Sequence, residues 1–150
     1  MRQLLLFVLG VIVIILLIVG IVALTMQTSS QASNFTASLS GSQEVPANSS
    51  TGSGSGTFTL SGNSLKYFVS VSGLSSQLTA AHFHAGNPGI SGPPIRTITF
   101  VALPDGTYAS QGVWVMTDDE VKLLEAQGIY VNVHTTNYPN GEVRGQLFIA

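Results

Sequence analysis

The hydrophobic pattern divides the chain near position 25. From Leu4 to Leu24 every residue is apolar or glycine, and as a helix this run would span about 31 Å, the hydrocarbon thickness of a bilayer. Beyond it the period changes to two. Phe35, Ala37 and Leu39 alternate with Thr36 and Ser38; Phe58 with Leu60, and Leu65 with Tyr67, Val69 and Val71, flank the turn residues Ser61-Gly62-Asn63-Ser64. Such alternation predicts half-buried strands, and the turn predicts an antiparallel hairpin.

Further strands are expected at Thr79 to Ala85, Ile95 to Val101, Gly112 to Met116, Ile129 to His134 and Glu142 to Ile149. The Ser/Gly-rich stretch Ser49 to Gly56 reads as a flexible loop, as do Gly86 to Pro94 and the segment holding Tyr138-Pro139-Asn140-Gly141. Thr117-Asp118-Asp119-Glu120 has the spacing of a capping box and predicts one short helix, ended by Gly128. Seven or eight short strands with one helix predict an all-β domain, an antiparallel β-sandwich or barrel of immunoglobulin-like or superoxide-dismutase-like type, preceded by a single N-terminal transmembrane helix. The expected organisation is an anchor over 1–25, a polar stalk over 26–33 and a β-domain over 34–150.

Charge orients this arrangement. Arg2 precedes the apolar run and no Lys or Arg follows it until Lys66, which places the β-domain outside the cytoplasm as a single-pass membrane protein, with the membrane as partner through residues 4–24. The alternative is a secreted domain released by cleavage near Ala32, where small residues offer a processing site. Past the run there are four basic and seven acidic residues, a balance that argues against nucleic acid as a partner. With no cysteine there are no disulfides, thiolate metal sites or cysteine nucleophiles. Asn34 and Asn48 begin short glycosylation-acceptor patterns.

The three histidines carry the most chemistry. In Ala81-His82-Phe83-His84 the two imidazoles point to one face of a strand and Phe83 to the other, into the core. His134 shares a face with Asn132 and Tyr130, opposite Val131 and Val133. If the two strands are neighbours in register, His82, His84 and His134 form a three-nitrogen set with an open position, suited to copper or zinc. The competing reading has these histidines hydrogen-bonded to loop carbonyls, pinning the Gly- and Pro-rich segments without any ion. Glu44, Asn132, Glu142 and Arg144 are read as structural or partner-binding residues, with an ion pair expected between Arg144 and the neighbouring acids. Asp118, Asp119 and Glu120 favour the helix N-terminus, and Trp114 belongs to the core. No nucleophile elbow, phosphate-cradling loop or paired catalytic carboxylates are present, so nothing identifies an enzyme.

Three ordered blocks, Leu39-Ser40-Gly41-Ser42-Gln43-Glu44-Val45-Pro46, Ala81-His82-Phe83-His84-Ala85-Gly86, and Tyr130-Val131-Asn132-Val133-His134-Thr135 through Gly141-Glu142-Val143-Arg144-Gly145-Gln146-Leu147, resemble the CHRD domain, first described in chordin and found in many microbial exported proteins. The resemblance implies an extracellular or surface-exposed β-rich domain and supplies no reaction. The cysteine-rich repeats that accompany growth-factor antagonism in chordin are absent here. The His-x-His strand is locally similar to the copper-binding strand of copper/zinc superoxide dismutases, without a complete set of bridging and zinc ligands. The leading expectation is therefore a membrane-anchored extracytoplasmic module presenting loops to an extracellular protein or glycan; the alternative is a copper- or zinc-binding extracytoplasmic protein.

Overall fold

The computed structural model describes residues 31–150. The apolar run over 4–24 and most of the stalk lie outside them, and no helix among the described residues is long and apolar enough to cross a membrane.

The alternating segments form ten antiparallel strands: β1 (Ser33–Ser40), β2 (Ser53–Ser61), β3 (Ser64–Ser72), β4 (Leu78–Ala85), β5 (Pro94–Thr97), β6 (Val101–Ala102), β7 (Tyr108–Val115), β8 (Ile129–Thr135), β9 (Val143–Gln146) and β10 (Phe148–Ile149). They make one sheet in the order β5-β4-β8-β9-β1-β2-β3-β7-β6, with β10 also against β1. The strands at its two ends, β5 and β6, are separated by only residues 98–100. The sheet must therefore curl on itself, and its concave face encloses the apolar positions of the alternating pattern. Phe83 lies fully buried there, its ring edge-on to Phe58 at 6.1 Å and Tyr67 at 5.3 Å, with Trp114 at 5.1 Å.

The β2–β3 hairpin turns at Gly62-Asn63, where Gly62 adopts φ 55°, a left-handed conformation that glycine reaches without steric cost. The capping box forms as expected: the Thr117 N–H donates to the Glu120 carboxylate at 2.7 Å, and the Glu120 N–H donates back to the Thr117 hydroxyl at 3.3 Å, opening helix α1 (Asp118–Glu125).

Several expectations change. Ser53 to Gly56 is not loop but the start of β2, paired on both sides to β1 and β3. Its glycines are there because neighbours fill the space a side chain would need, Val71 at Gly54 and the Phe58 ring at Gly56. The β-branched run Ile95 to Val101 is split, because the chain leaves β5 and crosses to β6 at the other end of the strand order; Ile98 is buried at the crossing and its N–H donates to Ala81 O. The C-terminal strand is likewise interrupted at Leu147, whose N–H goes to Ile129 O at 3.0 Å. At the helix end the left-handed residue is Gln127, φ 59°, rather than Gly128; at Gly128 the Leu123 side chain packs into the space a Cβ would take.

Strand β8 is buried on both faces, not half-buried as its alternation suggests. Its inward residues Val131 and Val133 enter the core. Its outward residues Tyr130 and Asn132 are covered by the loops that follow β1 and β4, which lie over the outer face of β4, β8 and β9.

Candidate metal centre

Strands β4 and β8 are neighbours in antiparallel register, with His82 opposite Asn132, His84 opposite Tyr130 and Ala80 opposite His134. The register requirement for a three-histidine set is thus met. Ring centroids are 5.6 Å apart for His82 and His84, 5.3 Å for His82 and His134, and 6.1 Å for His84 and His134. One ring nitrogen from each lies within 4.8 Å of the others. Tetrahedral ligands on one ion stand about 3.3 Å apart, from metal–nitrogen distances of about 2.0–2.1 Å, so the rings need to converge by up to about 1.5 Å to take one. His82 Nδ1 and His134 Nε2 are already 3.4 Å apart.

The hydrogen bonds of the competing reading are present as well. His84 Nδ1 lies 2.8 Å from Gly92 O, and His134 Nδ1 3.0 Å from Pro139 O. A carbonyl only accepts, so in both rings Nδ1 carries the proton and Nε2 keeps its lone pair. The two readings therefore do not compete: a bond from the far nitrogen to a carbonyl is what orients a histidine ligand. His84 Nε2 is buried and has no hydrogen-bond partner. Burial lowers the pKa of His84 and of His134, against the pull of their carbonyl partners; below the ordinary 6.5 both are neutral at pH 7, the form a metal ion requires. His82 and His134 are half-exposed, so the set opens towards solvent.

The four other residues singled out from the sequence fall into two groups. Glu142, fully buried, accepts hydrogen bonds from Ser50 Oγ at 2.6 Å, Ser75 N at 2.7 Å, Ser75 Oγ at 3.0 Å and Thr135 Oγ1 at 2.5 Å. Burial pushes its carboxyl up, yet these four donors together hold it below the usual carboxylate range. Arg144 donates to Asn87 O at 3.2 Å, Ile90 O at 3.0 Å and Gln146 Oε1 at 3.1 Å, with its guanidinium carbon 3.6 Å from the centre of the Tyr130 ring. The expected ion pair is absent: among the described residues the one salt bridge joins Lys122 and Asp119. Glu142 is spent on hydroxyls and an amide, and Arg144 on loop carbonyls.

Glu44 and Asn132 meet at 3.4 Å through the Asn132 amide. Glu44 Oε1 and Asn132 Oδ1 are both buried without partners. Burial pushes the Glu44 carboxyl up to about 7, against the opposing influence of the Arg144 charge and the Asn132 hydrogen bond. The Asn48 amide donates to Gly141 O and Glu142 O, so the second glycosylation pattern has its nitrogen committed to the fold.

Sequence reasoning missed Gly92. It sits where a Cβ would fall 1.6 Å from Ala85 O, a close approach that only glycine permits. No local motif signals this. Tyr130 was placed on the correct face, but its contacts with Gly92, His84 and Arg144 depend on a loop whose path the pattern does not specify.

Comparison with curated proteins and with solved structures finds no match. The CHRD domain model matches residues 35–147, a span that includes the three histidines, Glu44, Asn132, Glu142 and Arg144, and the chain therefore belongs to the CHRD domain family.

Proposed function

We propose that this protein is a membrane-anchored, extracytoplasmic CHRD module that binds one transition metal ion, copper or zinc, through His82, His84 and His134. The observation that carries this reading is His84: its Nδ1 is tied to Gly92 O and its Nε2 is buried and unpartnered, in a set where one ring nitrogen of each histidine lies within 4.8 Å of the others. A buried acceptor without a partner costs about 1–3 kcal/mol, and a metal ion would offset that cost. The donor set is three imidazole nitrogens, which suits borderline ions such as copper(II) and zinc and disfavours calcium or magnesium. The half-exposed side of the set would leave a coordination position for water or an exchange partner, as a carrier or redox site needs.

The finer architecture of the proposal, an immunoglobulin-like or dismutase-like sandwich behind one membrane-crossing helix, rests on the antiparallel curled sheet and on the apolar run over 4–24. The test is metal analysis of the purified chain in detergent, loaded with copper or zinc and exhaustively desalted. About one ion per chain, lost in His84→Ala, is the expected result. No retained ion in the unaltered chain would sink the metal reading.

A second reading, a surface module for an extracellular protein or glycan, is favoured by Ile90, which is 59 % exposed in the loop after β4. It is compatible with metal binding. Loss of cell-surface partner capture in Ile90→Ser, with the fold unchanged, would support it; equal capture would remove that loop from consideration.

A further inference from the structure

Tyr130 lies at the meeting point of the histidine set and the loop that covers it. Strand β8 runs between β4 and β9, so His84 and Arg144 approach the Tyr130 ring from opposite sides. His84 stacks on it with centroids 4.9 Å apart and planes 18° apart, and the Arg144 guanidinium sits 3.6 Å from its centre. The Tyr130 hydroxyl accepts from Gly92 N at 3.0 Å and donates to Gly92 O at 3.2 Å. That carbonyl is also the acceptor of the His84 Nδ1 proton.

The remaining loop contacts converge on the same segment. Arg144 holds Asn87 O and Ile90 O, Gln146 holds Gly86 O at 2.9 Å, and Ala85 N–H donates to Pro93 O at 3.0 Å. Gly92 is thereby pressed against Ala85 O, with no room for a side chain. One aromatic residue thus both supports the His84 ring through its face and, through its hydroxyl, positions the carbonyl that selects the tautomer of that ring.

We infer that Tyr130 is the positioning residue of the histidine site: its hydroxyl fixes the Gly92 peptide so that His84 keeps its proton on Nδ1 and presents Nε2 to His82 and His134. The importance of this for metal rests on the metal-binding reading above, but the tautomer itself does not. Arg144 and Gln146 act one step further out by holding the loop in place. The role assigned to Tyr130 is one of positioning, exerted through Gly92 and the His84 ring.

The substitution Tyr130→Phe keeps the ring between His84 and Arg144 and removes only the hydroxyl. Two readouts are needed on the full chain in detergent. Imidazole nitrogen NMR of the metal-free protein is expected to show His84 as a single Nδ1–H tautomer, becoming a mixture in Tyr130→Phe. Copper(II) titration against a competing chelator is expected to show a 10- to 100-fold weaker affinity in the variant, the usual effect of removing a ligand's supporting hydrogen bond, with a broadened copper(II) spin-resonance spectrum. An unchanged His84 tautomer in the variant overturns the inference, as does unchanged affinity with an unchanged spectrum. Should the variant fail to fold, Arg144→Lys is the second probe, expected to loosen the same loop and admit the second tautomer; an unmixed tautomer there overturns the inference too. If the unaltered chain holds no copper while the tautomer responds to Tyr130→Phe, the metal reading fails and the positioning role stands.

Discussion

Glu44 and Glu142 are both buried carboxylates brought against the same short segment, since Gly141 precedes one in the chain and its missing side chain leaves room for the other. Their environments differ in one respect. Glu142 receives four donors from Ser50, Ser75 and Thr135, which join three distant stretches of chain at one charge. Glu44 receives a single 3.4 Å contact and keeps one oxygen unpartnered. Burial raises the pKa of each; only at Glu142 do the donors outweigh it. Of the four buried side-chain polar atoms without partners among the described residues, three belong to Glu44, Asn132 and His84, all associated with the outer polar layer of β4, β8 and β9. Unsatisfied polar groups in a well-packed domain mark places where something other than folding has shaped the sequence. The Glu142 junction is a structural fastening, whereas the polar layer keeps unmet hydrogen-bonding capacity, which is what the proposed ligand site draws on.

The largest effect should come from undoing the fastening. Glu142→Ala leaves four donors without their acceptor and is expected to cost about 3–5 kcal/mol, read by denaturant unfolding. A cost below about 1 kcal/mol would mean that the two carboxylates are not different in kind. The depressed pKa of Glu142 also carries a sign: its contribution is present above the unfolded value near 4.5 and is lost as pH falls through the folded one.

Glu44 has the opposite sign. With a folded pKa of about 7 against 4.5 unfolded, its protonated form favours the folded state. Stability from this group is full below pH 4.5, declines as pH rises to 7 and stays low above it. Glu44→Gln, which mimics the neutral acid, is expected to raise stability at pH 8 by at most about 3 kcal/mol and to flatten the slope between pH 4.5 and 7. Unfolding curves at pH 5 and pH 8 for both proteins check this; a destabilised variant at pH 8 would show that Glu44 is needed as an anion. The smallest effect serves as the reference. Asp119 pairs with Lys122 at 3.0 Å on the exposed face of α1, and Asp119→Ala should shift stability by less than about 0.5 kcal/mol in thermal or denaturant unfolding, since solvent screens such pairs.

Much of the fold was legible because it is written locally. Period-two alternation located the strands, Gly62-Asn63 the hairpin and Thr117 with Glu120 the helix start, since each depends on residues within a few positions of one another. The shared face of His82 and His84, and of Tyr130, Asn132 and His134, followed from the pleat alone. The split of Ile95 to Val101 did not, because the break answers to the distance between the two ends of the sheet rather than to propensity. The expected ion pair of Arg144 failed for a related reason: charge sign is visible in a sequence, but the hydroxyls and carbonyls that absorb each charge arrive from loops elsewhere.

The chain by itself therefore determined an antiparallel β-domain, the inward placement of Phe83 and Trp114, the placement of Val131 and Val133 opposite His134, and the shared face of His82 and His84, consequences of backbone geometry and side-chain character. Tertiary structure alone decided that β4 and β8 are neighbours in the register that gathers three imidazoles, that Gly92 and Pro139 orient two of them, and that one of two buried glutamates is satisfied while the other is not. Those outcomes depend on contacts spanning up to about ninety residues of chain, such as Ser50 with Glu142, and such contacts exist only once the sheet has curled and its loops have closed over it.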